Sequence, residues 1–522
     1  MRQRHFLPRF TGSAQILGVA VCLLSGIALA QIDHIQAAAN LLDQGETSRA
    51  ESEARLALRS PDTKALALAM LGTIRLQQAK YGESVQFLNQ ALALNPKLVG
   101  ARTSLGDAYV FTGEPALARN CFQKVLQIDP GNFNARADLF RLEASQGKFQ
   151  QSLDVGRPIM PQLLASDEAL AILASDYGAL GKKDDLSGLV AYWRKLPAAS
   201  VDSSLDFGGV LLRAGLTNEA AEILDGAEKQ LPEHPLSSVA LRLGNAFLAL
   251  GHLEQAEKNA QLALSIAPNC TACYQTLAAI AQRQYNSEKA LAYLVTARRQ
   301  APDDPEVLFE FGNVCLERNL LDDALAALTK AVELSPENDS YVYALGSANV
   351  GHGDLPKALS LFQQLLKKHP NDAGLTYAIG AAYFLQTKYS DAEAALKQSL
   401  AARPDQIAAA YYLALTYDAI GDDDRAIPVF RDLIKNHPTH SPSYIKLGSL
   451  LVRAHQYEEA KQYLEHGIAL DPDSVEAHYQ LGLLLRRMGK PAESDAQLAE
   501  SQKLEAAQRA QKDIRLRLLL PD

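Results

Sequence analysis

Cys270 and Cys273, separated by Thr271 and Ala272, are the one pair of residues in this chain spaced for covalent chemistry. At the start of a helix such a pair would have its thiolate form favoured by the helix dipole, which is the setting of thiol–disulfide exchange. No strand precedes the pair, so the βαβ context of redox domains is missing. Tyr274 follows Cys273 where covalent haem attachment would need a histidine. Zinc asks for about four ligands, and neither a second CxxC nor a paired histidine lies nearby in sequence. A local disulfide or two packed small side chains therefore fits the context better, and thiol oxidoreductase activity is the sharper alternative. Cys121 and Cys315 fall at packing positions. His437 and His440 flank a proline turn, where solvated turn residues are a simpler reading than a metal site. No nucleophile elbow, phosphate loop or zinc-protease helix occurs, so neither enzyme activity nor a cofactor nor a metal is expected.

The elements that would carry these residues are set by a period. Pro268, Pro302, Pro336, Pro370, Pro404, Pro438 and Pro472 stand 34 residues apart. Ten residues after each comes a small residue, as in Ala278, Gly312, Gly346, Gly380, Ala414, Gly448 and Gly482. A second small position follows (Ala290, Ala324, Ala358, Ala392, Ala426, Ala460, Ser494). Four residues beyond it is a bulky one (Leu294, Leu328, Phe362, Leu396, Phe430, Leu464, Leu498). Small residues let paired helices approach, large ones fill the space between pairs, and the proline stops the second helix. One supersecondary unit copied along the chain predicts an all-α solenoid rather than a single large core.

This pattern resembles the tetratricopeptide repeat, a 34-residue helix-turn-helix. Carried backwards in register, it covers nearly the whole chain after residue 30. Six units start at 31, 65, 99, 133, 167 and 201, and eight start at 237, 271, 305, 339, 373, 407, 441 and 475. The two blocks are residues 31–236 and 237–508, offset by an extra pair of residues in the turn at Pro232 to Leu236. Residues 133–200 depart from the pattern. Phe140 occupies the first small position of the fourth unit, and Gly156, Pro158 and Pro161 interrupt its second helix. In the fifth unit Leu186 and Trp193 stand where small residues belong. Bulk at these points predicts locally spread helices, read either as a hinge or as drift within a repeat array.

Composition is that of a globular chain, 48% hydrophobic and 21% charged. Residues 1–30 read as a signal peptide: Arg2, Arg4 and Arg9 precede an apolar run from Ile16 to Ala30, with small residues at Ala28 and Ala30. The run is 15 residues, short for a membrane span of about 20. An uncleaved anchor is the alternative to cleavage before Gln31. Without the three leader arginines, 48 basic residues face 60 acidic ones, a balance of −12. No basic block interrupts this, so nucleic acid is not an expected partner. A periplasmic or secreted location is expected, with membrane contact only through associated proteins.

In the family that the pattern resembles, first helices line the concave face of a right-handed superhelix, and the fifth, ninth, twelfth and thirteenth residues point inward. That resemblance places Phe309, Tyr343, Tyr377, Tyr411 and Tyr479 on the face at a fixed step, interrupted by Ile445. Phe384 lies beside them, with Asn245 and Asn313 at ninth positions. Aromatic faces with polar tips suit an extended peptide or a sugar chain, and asparagines suit a peptide backbone. The alternative is that the rings pack along their own helices. The family's carboxylate clamp needs lysine where this chain has Leu241 and Phe309, so that mode is excluded. The last unit has Ala506 in place of its proline, so its helix is expected to run on, with residues 509–522 as a capping extension. The expectation is a non-catalytic scaffold binding a polypeptide partner, with glycan binding in polysaccharide export or modification as the alternative.

Overall fold

The computed structural model describes the backbone of residues 26–519 and the side chains of residues 34–508. Every described element is helical, and the helices form fourteen successive pairs. Of residues 1–30, expected to be a leader, residues 1–25 lie outside the described residues, while Gly26 to Ala30 begin the first helix, Gly26–Asp43. The chain divides into two compact units, the first ending at Pro268 and the second beginning at Asn269. They hold repeats 1–7 and 8–14. The division therefore falls one repeat after the extra residues near Leu236.

Within a repeat, the two helices interlock at one recurring point. Gly312 of Pro305–Glu317 faces Leu328 of Leu321–Leu334, and a Cβ added to the glycine would lie 2.5 Å from the leucine side chain. Gly72 against Leu88 and Gly106 against Phe122 repeat the arrangement at the same distance. The second small position is closed by a hydrogen bond where it is serine. Ser84 Oγ donates to the Gly72 carbonyl at 2.8 Å, and Ser494 Oγ to that of Gly482 at 2.7 Å. A buried hydroxyl is thus satisfied without loosening the contact.

Two further repeating features were not part of the sequence reading. The fifteenth residue of all fourteen repeats has positive φ and turns the chain from first helix to second. Nine of these residues are glycine, which reaches that region without a Cβ clash. Several first helices also start on a side-chain cap, as where Asn338 accepts the amides of Ser340 and Tyr341.

Repeats 4 and 5 differ from the others in their second helices, and in repeat 4 the break falls at Gly156, Pro158 and Pro161. The second element of repeat 4 breaks into Phe149–Gly156, a 3-10 turn at Arg157–Ile159, and Met160–Leu163. In repeat 5, Lys183–Trp193 is a short 11-residue second helix. Its partner Asp167–Ala179 packs more closely on the next first helix, Val201–Arg213, than on it. Trp193 reaches across to Phe207, ring centroids 4.7 Å apart. One continuous core joins Ala137, Leu170, Leu189 and Ile223, so the irregular stretch is packed rather than open. At the other end, the final helix runs unbroken from Pro491 to Leu519.

Candidate partner-binding face

Seven of the eight residues placed on the binding face by sequence lie in the second unit. Asn245 is exposed on Ser237–Leu250 of the first unit and is not grouped with them. Phe309 and Asn313 share Pro305–Glu317, Tyr343 is on Asp339–His352, and Tyr377 and Phe384 are on Ala373–Leu385. Tyr411 is on Ile407–Ala419 and Tyr479 on Val475–Arg487. The fifth position of these helices is aromatic in five of the seven repeats, and the aliphatic Ile445, 5% exposed, breaks the ladder. In the first unit the same position holds small or aliphatic residues such as Ala69, Ala137 and Leu205.

The rings are partly packing and partly surface. Tyr343 lies 5.5 Å from Phe362 of its own repeat, and Tyr411 lies 5.8 Å from Phe430, so each covers the interlocking residue of its repeat. Contact between neighbouring repeats passes through Tyr412, which sequence reasoning missed. Its ring is 5.8 Å from Tyr377, 5.5 Å from Phe384 and 6.3 Å from Tyr411. The adjacent pair Tyr411 and Tyr412 was the visible signal for it. Tyr341, likewise missed, lies 4.8 Å from Phe309.

Tyr343 keeps 38% of its surface exposed and Tyr479 48%. Burial pushes the hydroxyls of Tyr377 and Tyr411 up to about 12, and raises Tyr343 as well. They remain neutral hydrogen-bonding groups at any physiological pH. Among the described residues none of the hydroxyls of Tyr343, Tyr377, Tyr411 and Tyr479 has a hydrogen-bond partner. The face therefore offers apolar rings with unused polar tips, which can hold a ligand by stacking and by hydrogen bonds.

The candidate chemistry resolves differently. Cys270 and Cys273 are joined by a disulfide at the start of Thr271–Arg283, where Cys270 Sγ accepts the Cys273 amide at 3.1 Å. Cys315 is buried, and desolvation pushes its thiol up to about 12; Cys121 is shifted the same way. Neither is poised as a thiolate nucleophile. His440 is engaged with Ser443 Oγ at 2.7 Å and stacks edge-on against Tyr411. No group of three or more potential metal ligands is found among the described residues. No described helix is long and apolar enough to cross a membrane.

Models of the tetratricopeptide repeat match residues 65–132, 237–270, 276–339, 343–450 and 441–496, which together exceed half of the chain. The chain belongs to the tetratricopeptide repeat family. Human protein O-mannosyl-transferase TMTC1 is 32% identical over 121 residues, 22% of this array and 14% of that protein. The mouse protein of the same name is 36% identical over 88 residues, 16% of this array and 9% of that protein. The array thus spans a small fraction of the curated relatives it matches. Among solved structures it is similar to the APC/C hetero-tetramer Cut9–Hcn1, at 13% identity and TM-score 0.44, covering 88% of this array and 99% of that chain. It is also similar to yeast Tom70, at 15% identity and TM-score 0.39, covering 92% and 97%.

Proposed function

We propose that this array is a non-catalytic docking scaffold, exported to the periplasm or secreted with its leader removed near Ala30. It binds a partner polypeptide along the first-helix face of the second unit. The observation carrying the reading is the tyrosine ladder, whose exposed or half-buried rings and unused hydroxyls recur at one position in repeats 10, 11, 12 and 14, while the first unit has no aromatic residue there. Membership of the tetratricopeptide family supports protein binding in general. The basic-then-apolar leader, ending in small residues at Ala28 and Ala30, supports export, and the Cys270–Cys273 disulfide suits an oxidising compartment. Glycan binding is a second reading, favoured by the same stacking surfaces with free hydroxyls.

The test is affinity capture from an envelope extract. The parent chain is compared with a Tyr343→Ala, Tyr377→Ala, Tyr411→Ala variant of matched helicity. Proteins retained by the parent and lost from the variant are expected. Equal recovery on both would move the binding site to another surface and reduce the ladder to packing.

A further inference from the structure

The charge around the ladder narrows the chemistry of its partner. At one end, Phe309 and Tyr341 form a tilted ring pair beside Asp304, Glu306 and Glu310. Burial raises the Tyr341 hydroxyl, and those three carboxylates raise it further. Asp304 is occupied in capping the amides of Glu306 and Val307. Glu310 takes the Gln275 amide at 3.1 Å and is shifted upward by burial and by its acidic neighbours. Among the described residues no basic side chain pairs with Glu306 or Glu310. Further along, burial is the main influence on Tyr343 and Tyr411, with Asp372 adding to it at Tyr343, and Glu476, Tyr412 and Asp418 at Tyr411. Glu476 and Asp418 are already matched, by Lys446 at 2.5 Å and Arg453 at 2.5 Å. Asp372, like Asp304, is held by a cap, here with the Leu375 amide at 2.9 Å, which leaves Glu306 and Glu310 of repeat 9 as two acids of one helix with no basic partner among the described residues.

We infer that the ladder takes a cationic polypeptide segment, with arginine or lysine laid over its rings and against Glu306 and Glu310. This rests on the docking role proposed above and names the partner's chemistry. An acidic segment would bring like charges together as water is removed. A neutral one would cover Glu306 with no partner and Glu310 with only the Gln275 amide. A cation answers both, since it pairs with the carboxylates and is attracted to the ring faces. The array already uses this contact internally: the Arg298 guanidinium lies 4.0 Å from the Phe311 ring centroid, and that of Arg425 lies 4.3 Å from Tyr417.

The experiment uses the whole chain and three fluorescent synthetic peptides of one length, alternating leucine with arginine, glutamine or glutamate, plus a neutral oligosaccharide. Fluorescence anisotropy should show binding of the arginine peptide alone. Tyr343→Ala should weaken it about fivefold. Glu306→Gln with Glu310→Gln, one exposed and one half-buried position where glutamine keeps the shape and an oxygen for the Gln275 amide, should weaken it about tenfold. The inference is overturned if the arginine peptide fails to bind, or if the glutamine or glutamate peptide binds as tightly. It is also overturned if arginine-peptide affinity ignores the loss of the uncharged Tyr343 ring, since that is diffuse attraction to an acidic chain. Glutamine-peptide binding that Tyr343→Ala abolishes would remove the cation and leave polypeptide docking intact. Binding of the oligosaccharide alone would remove both.

Discussion

In repeat 10 the first helix carries Gly346 and the second carries Phe362; in repeat 4 the first carries Phe140 and the second Gly156. The ring fills the same space in both. A Cβ on Gly346 would strike the Phe362 ring, and a Cβ on Gly156 would lie 3.1 Å from Phe140 and 2.9 Å from Leu163. The interlock is thus kept as a volume rather than as a residue at a position. The two repeats part company outside that point, because Gly156 sits where the second helix of repeat 4 breaks. The irregular pair carries further departures from its neighbours.

Asp176 is the clearest of these features. It occupies the tenth position of repeat 5, where repeats 2, 4, 6 and 13 have Ile74, Leu142, Val210 and Leu450, all buried. Asp176 is 0% exposed, and neither of its oxygens has a hydrogen-bond partner. Burial pushes its carboxyl up to about 7; the one opposing influence is the Ser152 hydroxyl, whose hydrogen bond goes to the Phe140 carbonyl. Because the folded value lies above the unfolded one of about 3.9, the folded chain holds a proton that the unfolded chain releases. Stability is therefore full below about pH 4, falls as pH rises, and has lost its whole contribution above about pH 7. The loss is about 4 kcal/mol. Asp176→Val should remove this slope and be the more stable chain at pH 8. Amide exchange in Asp167–Ala179 at pH 5 and pH 8 reads the effect where it arises. Parallel pH dependence in parent and variant would mean the carboxyl is not what distinguishes repeat 5.

The exchange of ring and glycine is tested by moving it. Gly346→Phe places a second ring against Phe362 and should cost about 3 kcal/mol. Adding Phe362→Gly transplants the arrangement of repeat 4 and should recover at least half, less about 1 kcal/mol for glycine within a helix. Urea unfolding of the two single variants and the double variant gives the coupling. Additive losses would show that the equivalence depends on the broken second helix of repeat 4.

These contrasts mark how far the sequence was legible. The prolines, paired small residues and bulky fillers recur at one period, so the repeat, its count and its irregular stretch could be read directly. The compensation in repeat 4 could not, because Phe140 and Gly156 each look like an isolated departure until the helices are paired. Asp176 escaped because a lone acid within an apolar stripe can turn outward, and the period alone does not say which way it faces. On the candidate face, the helices carrying Tyr343, Tyr377 and Tyr411 were identified. The ring that joins Tyr377 to Tyr411, that of Tyr412, stands one residue off the counted positions and was passed over. The turn residue at the fifteenth position was visible as Gly45, Gly113, Gly147 and their successors, but five substitutions hid its regularity.

Those substitutions are unevenly placed. Ala79 is the one non-glycine among the seven turns of the first unit, whereas the second unit has Tyr285, Asn319, Thr387 and His455. Thr387 bears the most strain, since a β-branched residue there holds φ at 59°. It is exposed, its amide donates to the Phe384 carbonyl at 2.9 Å, and glycine would preserve that bond. Thr387→Gly relieves a penalty of about 1–2 kcal/mol. Against this stands the greater freedom glycine gives the unfolded chain, about 0.4–1 kcal/mol, so a net gain of about 0.5–1 kcal/mol is expected. Asn319→Gly should gain less, because asparagine enters this region at smaller cost. Thermal melts of the two variants compare them directly. Equal gains, or none at Thr387, would show that the turns of the second unit are set by the helices they join and not by the residues within them.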